Sequence, residues 1–486
     1  MSDDKILPLH RRMLSGALIL ALTGCSLAPS YHRPATPLPA TFKEAPGWQP
    51  ATPADAIAKG EWWRLFDDPT LDALESRVSA NNQNVASFAA AYRQARAAVQ
   101  EARAALFPTI DLNASGTRAG SFGDTQTTII GSNGTTTGGG GGSRRYSVSL
   151  GATWEPDLFG RLGSGVRQQK ALAEASEADL ANATLAAQGE LAADYVQLRG
   201  LDQQKGIYRE TIAAYQRALK ITTNRYDQGV VARVDVLQAQ TQLANATASA
   251  VDIDRQRAAF EHAIAVLVGE NPSSFTLAPA PFNRTVPAVP GILPSTVVER
   301  RPDVAAAERR VAAANQGIGI ERAAFFPTVS LSGDLGSQSS RLGSLFTAAS
   351  SIWSFGLTSA LTLLDFGGRA ARVRQARAAF DQAAANYRQA VLTAFQQVED
   401  ELAATRVLTT VAQARTTAAT SATRVEQLTQ NQYLSGLIVY TDVITAQTTA
   451  LSARQQEIQA IVDRQVSAIS LVQAIGGSWP TTPPAS

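Results

Sequence analysis

Two hydrophobic patterns run through this chain, and each occurs twice. Between Tyr146 and Trp154, the apolar residues Tyr146, Val148, Leu150, Ala152 and Trp154 alternate with Ser147, Ser149, Gly151 and Thr153. Phe355, Leu357, Leu361 and Leu363 alternate likewise with Gly356, Thr358 and Thr362. A period of two marks a strand with one apolar and one small polar face. Ile110 and Leu112, and Val329 and Leu331, open weaker partner strands, which predicts strand pairs over 109–155 and 328–364. Ahead of each pair, a run of helix formers (Leu71 to Leu106, Asp303 to Phe325) ends at Phe-Pro, where proline stops the helix. Behind each comes a proline-free helical stretch, Val166 to about Tyr226 and Ala370 to about Tyr433. At 1.5 Å per residue, roughly 60 residues make about 90 Å of helix, too long for a compact domain of this size. Each stretch turns at Tyr-x-x-Gly (Tyr226/Gly229, Tyr433/Gly436) and returns as a second helix to Gly269 or Gly476. The turn glycine stands where a helix end takes a left-handed residue.

These patterns recur because the chain is duplicated. Arg103-Ala104-Ala105-Leu106-Phe107-Pro108-Thr109 returns as Arg322-Ala323-Ala324-Phe325-Phe326-Pro327-Thr328, shifted by 219. Tyr226, Gly229, Asp235-Val236, Ala239-Gln240-Thr241 and Gly269 return as Tyr433, Gly436, Asp442-Val443, Ala446-Gln447-Thr448 and Gly476, shifted by 207. The first copy therefore holds 12 extra residues between these markers. They fall in Gly123 to Ser143, a Gly/Thr/Ser tract with five consecutive glycines that reads as an exposed flexible loop.

Alternating strands with small polar residues on one face suit either a soluble hairpin with one buried face or a membrane barrel with lipid outside and water inside. Aromatics flank both pairs (Phe107, Trp154, Phe159; Phe326, Trp353, Phe366), as they do at membrane interfaces, and favour the barrel. Four strands cannot close one, since the smallest known have eight and an open edge is not tolerated in lipid. If the strands span, the chain must oligomerise. Two copies give eight strands, three give twelve and four give sixteen, and the count alone does not choose.

The N-terminus sets the compartment. Lys5, His10, Arg11 and Arg12 precede an apolar run from Met13 to Leu22, too short for a permanent span but suited to a signal peptide over residues 1–24. The run ends in Leu22-Thr23-Gly24-Cys25, which looks like a bacterial lipobox with Cys25 as the lipidated residue. Ser26 after it favours transfer to the outer membrane, and multiple acyl chains make such an anchor lasting. Cys25 is the single cysteine, so no intrachain disulfide can form. Nothing after residue 25 approaches an 18-residue apolar stretch.

Charge and candidate chemistry argue against other classes. The net charge is +2 with dispersed basic residues, which leaves no nucleic-acid footprint. His10, His32 and His262 are the histidines, and none stands at metal-ligand or triad spacing, so no cofactor, metal site or enzyme activity is expected. The glycine run Gly138 to Gly142 lacks the Lys-Ser/Thr of a phosphate loop. Arg300-Arg301 suits a structural ion pair near a helix start.

Several ordered blocks carry a family resemblance. Leu293-Pro294-Ser295, the run Glu299-Arg300-Arg301-Pro302-Asp303 and Ala323-Ala324-Phe325-Phe326-Pro327 resemble the TolC-like outer-membrane efflux lipoproteins. Trp62-Trp63, Phe66, Asp68-Pro69 and Asp365-Phe366-Gly367-Gly368 agree with the same pattern. The resemblance runs from the lipobox to about Gly477. It implies a mainly α fold with a membrane β-barrel: a homotrimer closing twelve strands on a periplasmic α-helical tunnel. The expected layout is a lipidated arm over 25–70, repeat one over 71–270, a Pro-rich equatorial segment over 271–302, repeat two over 303–477 and a tail over 478–486.

The resemblance also implies a function. The chain would be the exit duct of a tripartite resistance–nodulation–division pump, passively conducting drugs or other small toxic compounds. Its partners would be further copies of itself, a periplasmic adaptor, an inner-membrane transporter and outer-membrane lipid. At rest, such ducts close their periplasmic tip by tyrosine, arginine and aspartate contacts. By position, Tyr226, Gly229, Arg233, Asp235, Tyr433, Gly436 and Asp442 would form the tip and gate. Ile438 and Thr445 stand where the TolC pattern has an arginine and a second aspartate, so the closing bonds must differ, with Arg233 as one substitute. Asp235 and Asp442 equally suit the capping of a helix start. Two other readings stand beside the efflux duct: an exit duct for type I protein secretion, and a non-conducting periplasmic scaffold lipoprotein.

Overall fold

In a computed structural model, the described residues are 27–36, 41–44, 61–120, 127–131, 134–138, 143–287 and 301–477. Cys25, the signal peptide and the C-terminal tail lie outside them. In chain order the elements are α1 (Pro69–Asn81), α2 (Gln83–Ala104), β1 (Thr109–Ala119), β2 (Thr127–Gly131), β3 (Gly134–Gly138), β4 (Ser143–Trp154), α3 (Arg161–Asp227), α4 (Arg233–Leu267), α5 (Pro302–Ala323), β5 (Thr328–Ser339), β6 (Ser351–Ala360), α6 (Gly368–Leu434) and α7 (Tyr440–Ala474). The chain divides into two compact units.

The first unit (1–33, 94–173 and 310–384) carries the sheet. Its order is β1-β4-β5-β6, antiparallel throughout. Both strand pairs start just after a proline, Pro108 or Pro327, which has no N–H for a ladder. The last rung of the second pair is Thr328 with Ala360. Leu361 and Leu363, expected within the last strand, therefore lie beyond it, because β5 has no residue left to pair with them. The tract over 123–143, expected to be a plain loop, contains the small two-stranded sheet of β2 and β3.

The second unit (34–93, 174–309 and 385–486) is helical. It holds α3 from residue 174 and α6 from residue 385; each of these helices has 67 residues in all, about 100 Å at 1.5 Å per residue. The helix expected to run unbroken from Leu71 to Leu106 is interrupted at Asn82, whose backbone is extended (φ −63, ψ 123). The cause is the Asn82 side chain. Its Oδ1 accepts the N–H groups of Asn84 (2.9 Å) and Val85 (3.1 Å), while Nδ2 donates to the Leu267 carbonyl at 2.8 Å. One buried amide thus starts α2 and satisfies the end of α4.

The core of this unit gathers Trp62 and Trp63, Leu71, Leu74 and Val78 of α1, Leu191 and Leu198 of α3, Ile264 of α4, and Ile469 and Val472 of α7. The Trp-Trp…Phe…Asp-Pro block is structural here: Trp62, Trp63 and Phe66 are buried. Asp68 caps α1 through the N–H groups of Thr70 and Leu71, and it accepts the Tyr195 hydroxyl at 2.6 Å. Arg301 is also buried. It holds Asp303 through two nitrogens and donates to the Ala474 carbonyl at 2.7 Å and to Gln397 at 2.8 Å. The Arg-Pro-Asp block therefore ties the start of α5 to the end of α7. Glu75 of α1 is completely buried and both its carboxyl oxygens lack hydrogen-bond partners. Burial, then the nearby Asp72, pushes its pKa up to about 9.

Candidate functional site: an amphipathic sheet and a helical tip

The sheet register sorts side chains onto two faces. Leu112, Leu150, Leu335 and Trp353 form one continuous rung, and Ile110, Ala152, Gly333 and Phe355 the next. On the opposite face, Asp111, Gly151, Asp334 and Ser354 share a rung, and Ser115, Ser147 and Gln338 another. Ile352, paired with Gly336, is an apolar exception on this polar face. The apolar face is uncovered in the protomer: Leu112 is 73 %, Trp353 79 % and Phe355 71 % exposed. A wall of that kind sits stably in water only when covered, and is already satisfied in lipid. The strands have 11, 12, 12 and 10 residues, enough for tilted spans, which need about 9–11. Beta1 and β6 are the edges, each paired on one side only.

The residues expected at the tip lie at the α3–α4 and α6–α7 turns. At the first, the Gly229 N–H donates to the Tyr226 carbonyl at 2.8 Å and the Val230 N–H to Arg225 at 2.8 Å. At the second, Gly436 and Leu437 bond Tyr433 and Gln432 in the same way, both at 3.0 Å. Gly229 (φ +73) and Gly436 (φ +76) are left-handed, as this closure of a helix end requires.

The two tip tyrosines, equivalent by the repeat, are not equivalent in space. Tyr226 is 40 % exposed, whereas Tyr433 is 4 % exposed. Tyr433 packs on Tyr440, ring centroids 5.2 Å apart, within a cluster that includes Ala239 of the first hairpin and Val443. The Arg225 guanidinium lies 4.9 Å from the Tyr433 ring centre and its Nη1 donates to the Tyr433 carbonyl at 3.4 Å. Burial first, then Tyr433 and the charge of Asp235, pushes the Tyr440 hydroxyl up to about 12. Asp235 of one hairpin is thus felt by Tyr440 of the other. Both expected aspartates sit in the first turn of their helices, where negative charge suits the helix dipole. Asp442 and Arg233 are exposed, and Arg233 makes no ion pair among the described residues. At these turns, the arginine that meets a tyrosine of the other hairpin among the described residues is Arg225, which sequence reading missed. Its counterpart one repeat later is Gln432, so comparing the copies hid it; a basic residue in the last helical turn was the available signal.

The described residues contain no group of three potential metal-ligating side chains, and no helix long and apolar enough to cross a membrane. Residues 74–270 and 293–477 match the family described as outer membrane efflux protein. The chain belongs to that family. It is 30 % identical over 475 residues to the probable efflux pump outer membrane protein TtgC of Pseudomonas putida, covering 96 % of each chain. It is 28 % identical over 487 residues to the cation efflux system protein CusC of Escherichia coli, covering 99 % of this chain and 100 % of that one. The solved outer-membrane channel OprN superposes with a TM-score of 0.84 at 29 % identity, covering 93 % of this chain and 99 % of that one. This efflux-family chain is therefore an outer-membrane channel component of an efflux system, mostly helical with a few antiparallel strands.

Proposed function

We propose that three copies of this chain close a twelve-stranded barrel and form a passive exit duct, with no catalytic step, that conducts small toxic compounds. The observation that carries the reading is the sheet: an apolar face, a polar face and two open edges, β1 and β6, on one protomer. Open edges are not tolerated in lipid, and pairing β6 of one copy with β1 of the next removes every edge. Family membership supports partnership with a periplasmic adaptor and an inner-membrane transporter. Acyl chains on Cys25 would anchor the assembly in the outer membrane.

At the tip, Arg225 of the first hairpin clasps Tyr433 of the second, and Tyr433 packs on Tyr440; these contacts hold the two hairpins of a protomer together and keep the duct shut. Three-fold repetition of Asp235 and Asp442 would concentrate negative charge and favour cations. Native mass measurement of the purified protein in detergent is expected to give three chains per particle. A monomer, or a closed assembly of another number, removes the twelve-stranded reading. Equal cation selectivity in wild type, Asp235→Ala and Asp442→Ala channels removes the charge role of these residues alone.

A further inference from the structure

We propose that Arg118 and Arg144 form a clamp for the phosphate of an anionic lipid headgroup in the outer leaflet. The proposal rests on the reading of the sheet as a barrel wall and adds the lipid that this wall selects. The two arginines stand directly opposite each other on β1 and β4. Alternation puts them on the apolar face, at the end of the series Ile110, Leu112, Ala114 and Gly116 on β1 and Ala152, Leu150, Val148 and Tyr146 on β4. Among the described residues of the four main strands, no other charged side chain lies on that face. Both arginines are exposed, and neither makes an ion pair among the described residues.

The depth of the pair fits a headgroup. Arg118 follows Thr109, the first residue of β1, by nine positions. That is about 30 Å along a strand, or about 23 Å of height at a tilt of about 40°. The apolar band of an outer-membrane barrel is about 25 Å tall, so the pair stands at its far edge. The strands join α2 and α3 at the opposite edge. With the helices on the periplasmic side, the arginines face the outer leaflet. One rung nearer the middle, the Tyr146 ring lies across from Gly116, where a Cβ would meet its Cδ1 at 3.3 Å. The face therefore runs from aliphatic to aromatic to cationic, the order of a membrane interface.

The fold itself does not need the pair. The repeat shifts of 219 and 207 take Arg118 to Ser337 and Arg144 to Ser351, and these serines again stand opposite each other on β5 and β6. Two like charges directly opposite across a ladder repel. A phosphate between them turns that repulsion into two charge-assisted contacts, because each guanidinium fork can donate paired N–H groups to phosphate oxygens. Basic sites at a membrane surface hold anionic headgroups in this way. Arg145 is opposite Thr117 on the polar face, so it points away from the lipid and takes no part.

The test uses the full-length protein in detergent, titrated with lipid A carrying two phosphates, with retained lipid counted by native mass spectrometry. Wild type is expected to retain lipid A, to bind the same lipid stripped of phosphate at least about tenfold more weakly, and to keep lipid A when inorganic phosphate is added. Arg118→Ser with Arg144→Ser, which installs the second copy's residues, is expected to weaken lipid A binding at least about tenfold. Arg118→Gln with Arg144→Gln keeps side-chain length without charge and serves where the serine variant misassembles. Arg145→Ser is expected to bind as wild type. Undiminished binding by a folded double variant, or by the phosphate-free lipid, overturns the clamp and leaves the barrel reading standing. Displacement of lipid A by inorganic phosphate overturns the lipid as its occupant. Loss in Arg145→Ser but not in the double variant reverses the two faces of the sheet, and overturns the barrel reading with the clamp.

Discussion

Replacing Glu75 with glutamine tests whether a neutral acid is built into the helical core. Glu75 is inaccessible to solvent within the single protomer, so no assembly can expose it further, and neither oxygen has a partner. Its pKa stands at about 9 in the folded chain against 4.5 for an ordinary glutamate. The folded state thus keeps a proton that the unfolded state gives up. The stability this group permits is complete below about pH 4.5 and declines as pH rises towards 9, at about 1.4 kcal/mol per pH unit. From pH 5 to pH 8, Glu75 alone accounts for a loss of about 4 kcal/mol, an upper figure because water entry and local relaxation reduce it. Glutamine has the shape of the protonated acid and no charge to lose. The Glu75→Gln variant is expected to match wild type near pH 5 and to exceed it by several kcal/mol at pH 8. Trp62 and Trp63 belong to the same core, so urea titrations followed by tryptophan fluorescence at pH 5, 6, 7 and 8 read the effect locally. Parallel pH dependences for the two proteins would refute the reasoning, as would a variant destabilised equally at every pH.

Other contacts give sharper single tests. Arg301→Ala leaves the Asp303 carboxylate and the Ala474 carbonyl without their buried donor, and is expected to cost about 3 kcal/mol in the same urea titration. Arg301→Lys recovers little of that, because a single ammonium cannot span both Asp303 oxygens, Ala474 and Gln397. Leu112→Arg puts a charge on the apolar sheet face and is expected to cost about 2–4 kcal/mol and to deplete outer-membrane trimer on heat-modifiability gels. At its neighbour Asp111, on the polar face, Asp111→Asn is expected to leave the proposed trimer intact and to lower cation selectivity. Arg225→Ala removes the clasp on Tyr433 and is expected to raise the open probability of reconstituted channels, whereas Arg233→Ala is not.

The repeat made the long helices and the four main strands legible, because each pattern appeared twice and in the same order. What stayed hidden were features set by a single side chain reaching across sequence. The break at Asn82 depends on the Leu267 carbonyl, 185 residues away, and no local propensity reveals it. Leu361 and Leu363 resumed the alternation of Phe355 and Leu357 after a break at Ser359-Ala360, yet β6 stops where its partner strand runs out at Thr328. The β2–β3 sheet lies in a glycine-rich tract whose composition reads as loop. At the tip, position identified Tyr226 and Tyr433 as a matched pair, but packing divided them. Tyr433 has Tyr440 beside it, whereas the same place in the first copy holds Arg233. That one difference turns one tyrosine into a buried contact between hairpins and leaves the other in solvent.

Single-channel recording in planar bilayers tests the central claim, that this sheet and these helices form a closed duct. Discrete conductance steps are expected from the proposed trimer, rare in wild type and frequent once Arg225→Ala is combined with Tyr433→Ala. Silence from both preparations, with the opened variant folded and trimeric in the membrane, would contradict it.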